Sequence, residues 1–262
     1  MKAFAQGTGP AILIVHGGMD DGSSWRKVAG VLAGRFRVVR VVRRQCRADL
    51  PPLEPCSMDA EVDTVLAVAA DLTGPMIIVG HSSGGVVAFE TLLAAPSKFA
   101  GAVLCEPPAA TGDDTGHDEI FARVRAAVKE DKPGKAMRIF VHEIVGMPAS
   151  AGLALAAVMA GSAQLRVLAP RQLSDLDGLA VRLGGYASIE VPVLLLGGYR
   201  SPACLGGKLG ALADTLPDAE RLVMAGWDHG AQARAPAEVA SAITTFARQV
   251  LAGSGTGRAS ST

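Results

Sequence analysis

Short apolar runs recur along the chain at AILIV (11–15), RVVRVV (37–42), MIIVG (76–80), GAVLC (101–105), VPVLLLG (191–197) and RLVMA (221–225). Their length and β-branched content suit strands buried in a sheet. Between most of them lie longer segments with helical composition and spacing, such as MDAEVDTVLAVAADL (58–72), VVAFETLLAA (86–95) and PAEVASAITTFARQVLA (236–252). This alternation predicts an α/β fold, with a mostly parallel central sheet and helices on both faces. A ligand site is then expected at the carboxyl ends of the strands.

One interval breaks the rhythm. From 109 to 188 there is no strand-like run, while FARVRAAVKE (121–130), AMRIFVHEIVG (136–146) and AGLALAAVMAGSAQLRVLA (151–169) have amphipathic or apolar helical patterns separated by Gly and Pro. The expected organisation is therefore a core made of 1–108 and 189–252, with 109–188 inserted as a helical lid over the top of the sheet. The closing stretch GSGTGRASST (253–262) has too little apolar surface to offset the entropy of ordering and is expected to fray.

Composition narrows the function. At 262 residues and 49% hydrophobic content the chain can bury one large α/β core carrying an insertion. Its 25 basic and 25 acidic residues cancel, and no basic stripe with interleaved aromatics is present, so no nucleic-acid partner is expected. The basic stretch RVVRVVRRQCR (37–47) reads as a strand running into a loop, packed and solvated. Cys46, Cys56, Cys105 and Cys204 form no CxxC pair, so neither a metal site nor a disulfide is expected, and Cys105 reads as a small core hydrophobe. The N-terminal apolar run AILIV is too short for a signal core or a membrane span, which gives a cytoplasmic expectation with no membrane partner.

The candidate chemistry begins at VGHSSGG (79–85), two serines boxed by glycines directly after an apolar run. A nucleophile at a sharp strand-to-helix turn is strained, so the residues two before and two after it must be small. Ser82 has Gly80 and Gly84 there, whereas Ser83 would have His81. Ser82 is the candidate nucleophile. A serine hydroxyl needs a base, and His229 in MAGWDHGAQ (224–232) follows the last apolar run and precedes the final helix, on a loop at the active edge. His117 and His142 fall in the insertion and read as surface or packing residues. Acyl transfer also needs oxyanion donors, and IVHGGMD (14–20) offers bare backbone just after a strand. The amides of Gly18 and Ser83 are assigned to that hole, with Met19 as a neighbour able to substitute and His16 as an orienting residue.

With HGG (16–18), GHSSGG (80–85) and DHG (228–230) in this order on these elements, the chain resembles the α/β-hydrolase superfamily over nearly its whole length. The resemblance implies cofactor-free chemistry by serine, histidine and an acid, commonly hydrolysis of esters, thioesters, amides or lactones. In relatives of this type the acid often follows the strand matching VPVLLLG, in a loop like G-x-x-D; here the loop is GGYRSP (197–202) and Arg200 stands where the aspartate is sought. A guanidinium cannot accept the imidazole N–H. Glu106, at the end of GAVLC and fixed by two following prolines, is the substitute, since some members carry their acid at that strand end. Its alternative is a structural carboxylate paired with an arginine such as Arg200, which would leave the pair Ser82 and His229 without an acid. Arg200 itself reads either as a holder of an anionic substrate group, beside Met19, or as a surface charge.

The leading expectation is a serine hydrolase of the esterase or lactonase kind, acting through an acyl-Ser82 intermediate on a small molecule with an apolar body, without cofactor or metal. Carbon-carbon bond cleavage or lyase-like chemistry on the same fold, and a non-catalytic binding protein on a hydrolase scaffold, stay open. So does homodimerisation.

Overall fold

The computed structural model describes residues 2–53, 56–108, 118–144, 148–178 and 183–256. Among these, seven strands form one sheet: β1 Ala3–Gln6, β2 Ala11–Val15, β3 Arg37–Val41, β4 Met76–His81, β5 Phe99–Cys105, β6 Val193–Gly198 and β7 Ala219–Met224. The spatial order is β1-β3-β2-β4-β5-β6-β7. β1 runs antiparallel to β3, and every other neighbouring pair is parallel. The strand runs read from the sequence fall on β2 to β7. β1 was missed because AFAQ is four residues on an exposed edge, where no apolar run is needed.

Both faces of the sheet are covered, which is why the central strands are apolar at consecutive positions. Successive side chains point to opposite faces. Leu13, Val15 and Ile78 pack on one side with Val65 of α2 (Met58–Ala69), Phe89 of α3 (Ser83–Ala94) and Leu209 of α9 (Ala203–Thr215). Ile12, Ile14, Ile77 and Val79 pack on the other with Val28 of α1 (Arg26–Leu32) and with Val239, Ile243 and Phe246 of α11 (Pro236–Thr256). Burying a side chain of this size contributes about 1.5–3 kcal/mol, so the two layers hold the sheet and fix its strand ends.

Between β5 and β6 the described residues form α4 (Asp118–Lys129), α5 (Pro133–Ile139), a π-helical turn (Phe140–Ile144), α6 (Ala149–Gly161), α7 (Ala163–Gly178) and α8 (Leu183–Tyr186). The insertion has a small core of its own, built on Val124, Ala127, Ala136, Met137 and Ala169. The single helical run expected at 151–169 is divided at Ser162, whose hydroxyl accepts the Leu165 N–H at 3.2 Å and caps α7. Residues 109–117, 145–147 and 179–182 of the expected 109–188 insertion, with His117 among them, lie outside the described residues. At the other end, α11 continues to Thr256, into the stretch expected to fray from 253; residues 257–262 lie outside the described residues. α10 (Ala231–Arg234) precedes α11. Among the described residues no helix is long and apolar enough to cross a membrane.

Candidate active site

The serine sits where β4 turns into α3. Ser82 has φ 51° and ψ −131°, a conformation that costs about 1–3 kcal/mol for a residue with a β-carbon and persists only where its surroundings enforce it. They do so here. The Ser82 N–H donates to the Cys105 carbonyl at 2.9 Å, and the Ser82 carbonyl accepts from Gly85 N at 2.8 Å. A β-carbon at Gly80 would stand 2.6 Å from Gly85 Cα, and one at Gly84 would run into the main-chain oxygens of Val15 and His16. The glycines therefore let α3 press directly onto β2 and β4, which lifts the serine between them.

The two serines have different surroundings. Ser82 is half-buried. Ser83 is 1% exposed, and its hydroxyl accepts a 2.8 Å hydrogen bond from Arg43 Nη1. Arg43 is buried as well, and its Nε stands 3.5 Å from Glu61 Oε2. Its main-chain N–H donates to His16 Nε2 at 3.2 Å, while His16 Nδ1–H donates to the Gly17 carbonyl at 2.7 Å. Burial lowers the His16 pKa and keeps the ring neutral, as this donor–acceptor pairing requires. One arginine thus ties the 16–19 loop, which carries Gly18, to the start of α3, which carries Ser83. The expectation of a solvated basic stretch at 37–47 is corrected here: Arg40 and Arg43 are buried, the former with its guanidinium donating to the Gly22 carbonyl at 2.7 Å.

Glu106 lies just past the end of β5, 4% exposed and at φ 46°, before Pro107 and Pro108. Its Oε2 is 2.7 Å from His229 Nδ1, and its Oε1 accepts the Gly198 N–H at 2.8 Å. Burial pushes this carboxyl up, but hydrogen bonds from His229 and the Gly198 amide, with the Ser201 hydroxyl close by, hold it below its ordinary value. Ser201 acts by proximity, since its buried hydroxyl makes no hydrogen bond among the described residues. An ionised Glu106 accepts from Nδ1–H, which leaves Nε2 of a neutral His229 as the basic nitrogen. The end of β6, just before Arg200, supplies a backbone donor to this carboxylate.

The His229 loop is pinned from below. His81 Nε2–H donates to the His229 carbonyl at 3.0 Å, and the two rings lie 4.8 Å apart. Burial, with the neighbouring His229 imidazole, brings the His81 pKa down to about 3, so the ring is neutral. Asp228 faces away, accepting Gly230 N at 2.8 Å and Arg234 Nη2 at 2.7 Å. Among the described residues no hydrogen bond joins Ser82 Oγ to His229; in unliganded sites such contacts are commonly long and tighten with substrate.

The remaining candidates are dispersed. Gly17 closes over the serine, a β-carbon there falling 3.0 Å from Ser82 Cβ. Met19, at φ 55°, packs against the core of the insertion. Arg200 is exposed, held through its main-chain N–H to the Trp227 carbonyl at 2.9 Å, with its charge acting on Asp228. His142 is exposed on the insertion. Two residues that the sequence reading passed over stand close to the site: Arg43, whose signal was a charge directly after a buried strand, and Gln172 of α7, which had none. Among the described residues no disulfide joins Cys46, Cys56 or Cys105.

A strained serine after a central parallel strand, a histidine on the last strand's loop and a carboxylate hydrogen-bonded to it define a class of serine-histidine-acid sites. The family model described as "Alpha/beta hydrolase family" matches residues 12–242, and the chain belongs to that family. It is 28% identical over 136 residues to an epoxide hydrolase of Caballeronia sordidicola, covering 48% of this chain and 39% of that protein. It is 32% identical over 105 residues to the lipase LipV of Mycobacterium tuberculosis, covering 39% of this chain and 40% of that one. The matches thus span about two fifths of those relatives' length. The crystal structure of an enol-lactonase from Burkholderia xenovorans superposes with a TM-score of 0.73 at 16% identity, over 94% of this chain and 96% of that one. At that identity the likeness is one of fold.

Proposed function

We propose that the protein is a serine hydrolase that cleaves an ester, thioester or lactone-type carbonyl through an acyl-Ser82 intermediate. The observation that carries this reading is the Glu106–His229 contact of 2.7 Å, on the loop that His81, the neighbour of a strained Ser82, holds through the His229 carbonyl. In the proposed sequence, His229 Nε2 takes the Ser82 proton as Oγ attacks the carbonyl carbon. Glu106 holds the imidazole in the tautomer that leaves Nε2 free and stabilises the imidazolium that forms. The Gly18 and Ser83 amides receive the oxyanion, and His229 then protonates the leaving group. Water, deprotonated by the same nitrogen, releases the acid. Arg43 is the positioning residue, since it fixes both donor-bearing segments before substrate arrives.

The insertion acts in this reading as a lid. Its apolar core reaches down through Met19 to the oxyanion loop, which supports a substrate with an apolar body. The test is product analysis in oxygen-18 water on a panel of short esters and lactones, with Ser82→Ala alongside. Hydrolysis places one label in the acid product, and Ser82→Ala is expected to show none above background. Turnover without label would sink hydrolysis in favour of lyase-like chemistry, and turnover surviving in Ser82→Ala would remove the serine.

A further inference from the structure

Gln172 is 8% exposed on α7, and its Oε1 is buried without a hydrogen-bond partner among the described residues. A buried carbonyl oxygen left unpaired is costly, so its position calls for a reason. A β-carbon added to Gly18 would coincide with the Gln172 side-chain amide. The orphaned amide therefore lies against the very residue whose N–H is assigned to the oxyanion.

Nor is it a loose tip. The preceding residue, Arg171, clamps this turn of α7 to the loop after β3, donating to the carbonyls of Arg47 at 2.5 Å and Leu50 at 2.7 Å, while Gln45 Nε2 donates to the Arg171 carbonyl at 3.3 Å. Pro170 adds local stiffness just before it. The turn that carries Gln172 is thus fixed, and its unpaired amide oxygen, set against Gly18, is placed as an acceptor beside the oxyanion loop.

We propose that Gln172 determines specificity: its amide oxygen accepts a hydrogen bond from an N–H or O–H that the substrate carries close to the scissile carbonyl. The inference rests on the acyl-serine reading above and narrows its substrate class to carbonyl compounds bearing such a donor, of the 2-hydroxy or 2-acylamino kind. Sites built to pair with a substrate donor discriminate strongly against analogues that lack it, because their own polar group is then left unpaired. An apolar lid over the same place would have shown no such preference.

The experiment compares two ethyl 4-nitrophenyl phosphonates, one carrying a butyl group and the other an acetamidomethyl group. Each rate is divided by that probe's rate of alkaline hydrolysis, and adducts are located by peptide mass. Wild-type protein is expected to react about fivefold or more faster with the acetamido probe, one hydrogen bond of average strength. In Gln172→Met, which keeps the length of the side chain, the ratio should fall to within about twofold of unity, whereas Gln172→Glu, still an acceptor, should keep a preference. Circular dichroism of both variants establishes folding. Equal wild-type rates on Ser82 would overturn the inference while leaving the hydrolase reading standing, and no adduct on Ser82 from either probe would overturn both. A Gln172→Met variant that slows the two probes equally, with Gln172→Glu slower still, would make Gln172 an oxyanion donor through Nε2 and overturn its role as a reader of the substrate.

Discussion

Glu106 spends both oxygens on fixed partners, His229 on one side and the Gly198 amide on the other. Glu106→Gln keeps the shape but offers an amide that can turn its NH2 toward Nδ1, which favours the wrong imidazole tautomer. Turnover is expected to drop by about 10² to 10⁴ with the thermal midpoint nearly unchanged; unchanged kcat would remove Glu106 from the chemistry. Ser83→Ala removes the hydroxyl bound by Arg43 Nη1 and keeps the amide, so kcat is expected to stay within about tenfold of wild type, short of the about 10² to 10³ that losing an oxyanion donor costs. Ser82 could be singled out in the sequence because the sterics of a strained turn leave glycines at fixed offsets. Glu106 could be singled out because it ends an apolar run and Arg200 occupies the other strand end. Arg43 and Gln172 could not. Their places depend on contacts with Ser83, 40 residues away, and with Gly18 across the insertion, and no local pattern encodes either.

At the scale of the element, the turn from β4 into α3 is a packing device, apart from the nucleophile proposed on it. A methyl group at Gly84 has no room, since main-chain oxygens of β2 and the 16–19 loop already fill the place. Gly84→Ala must therefore shift backbone, and a loss of about 1–3 kcal/mol in urea-unfolding stability is expected, together with loss of activity; a variant with wild-type stability would show that α3 does not press on β2 as described. The insertion was legible only as helical. Where α6 ends at Gly161 and α7 begins depends on the Ser162 cap, a polar signal within an apolar run, and the docking of α7 depends on Arg171 reaching carbonyls of another loop.

For the molecule as a whole, the alternation of strand and helix patterns was readable because a sheet covered on both faces demands apolar residues at most positions of its inner strands. The exposed edge strand β1 obeys no such demand and left no trace. Burial also sets the response to acid. His81, with its pKa brought down from 6.5 to about 3, takes no proton in the folded state over a range where the unfolded chain does. Stability is then complete above the unfolded value and declines as pH falls from about 6.5 toward 3, by up to ~1.4 kcal/mol per pH unit for one group. His16 acts in the same direction, and Glu106, held below 4.5, adds a further loss as pH falls through its folded value. His81→Gln, which retains a donor for the His229 carbonyl, should flatten the slope of urea midpoint against pH above about 4.5; an unaltered slope would mean that His81 titrates alike in both states.

On the proposed mechanism Ser82, and no other residue, is the activated nucleophile. A fluorophosphonate labelling time course, with the adduct located by peptide mass, tests it most directly. A single adduct on Ser82 is expected, absent in Ser82→Ala and formed orders of magnitude more slowly in His229→Ala, whose backbone still meets His81. Labelling of Ser83, or a rate in His229→Ala equal to that of the wild type, would contradict it.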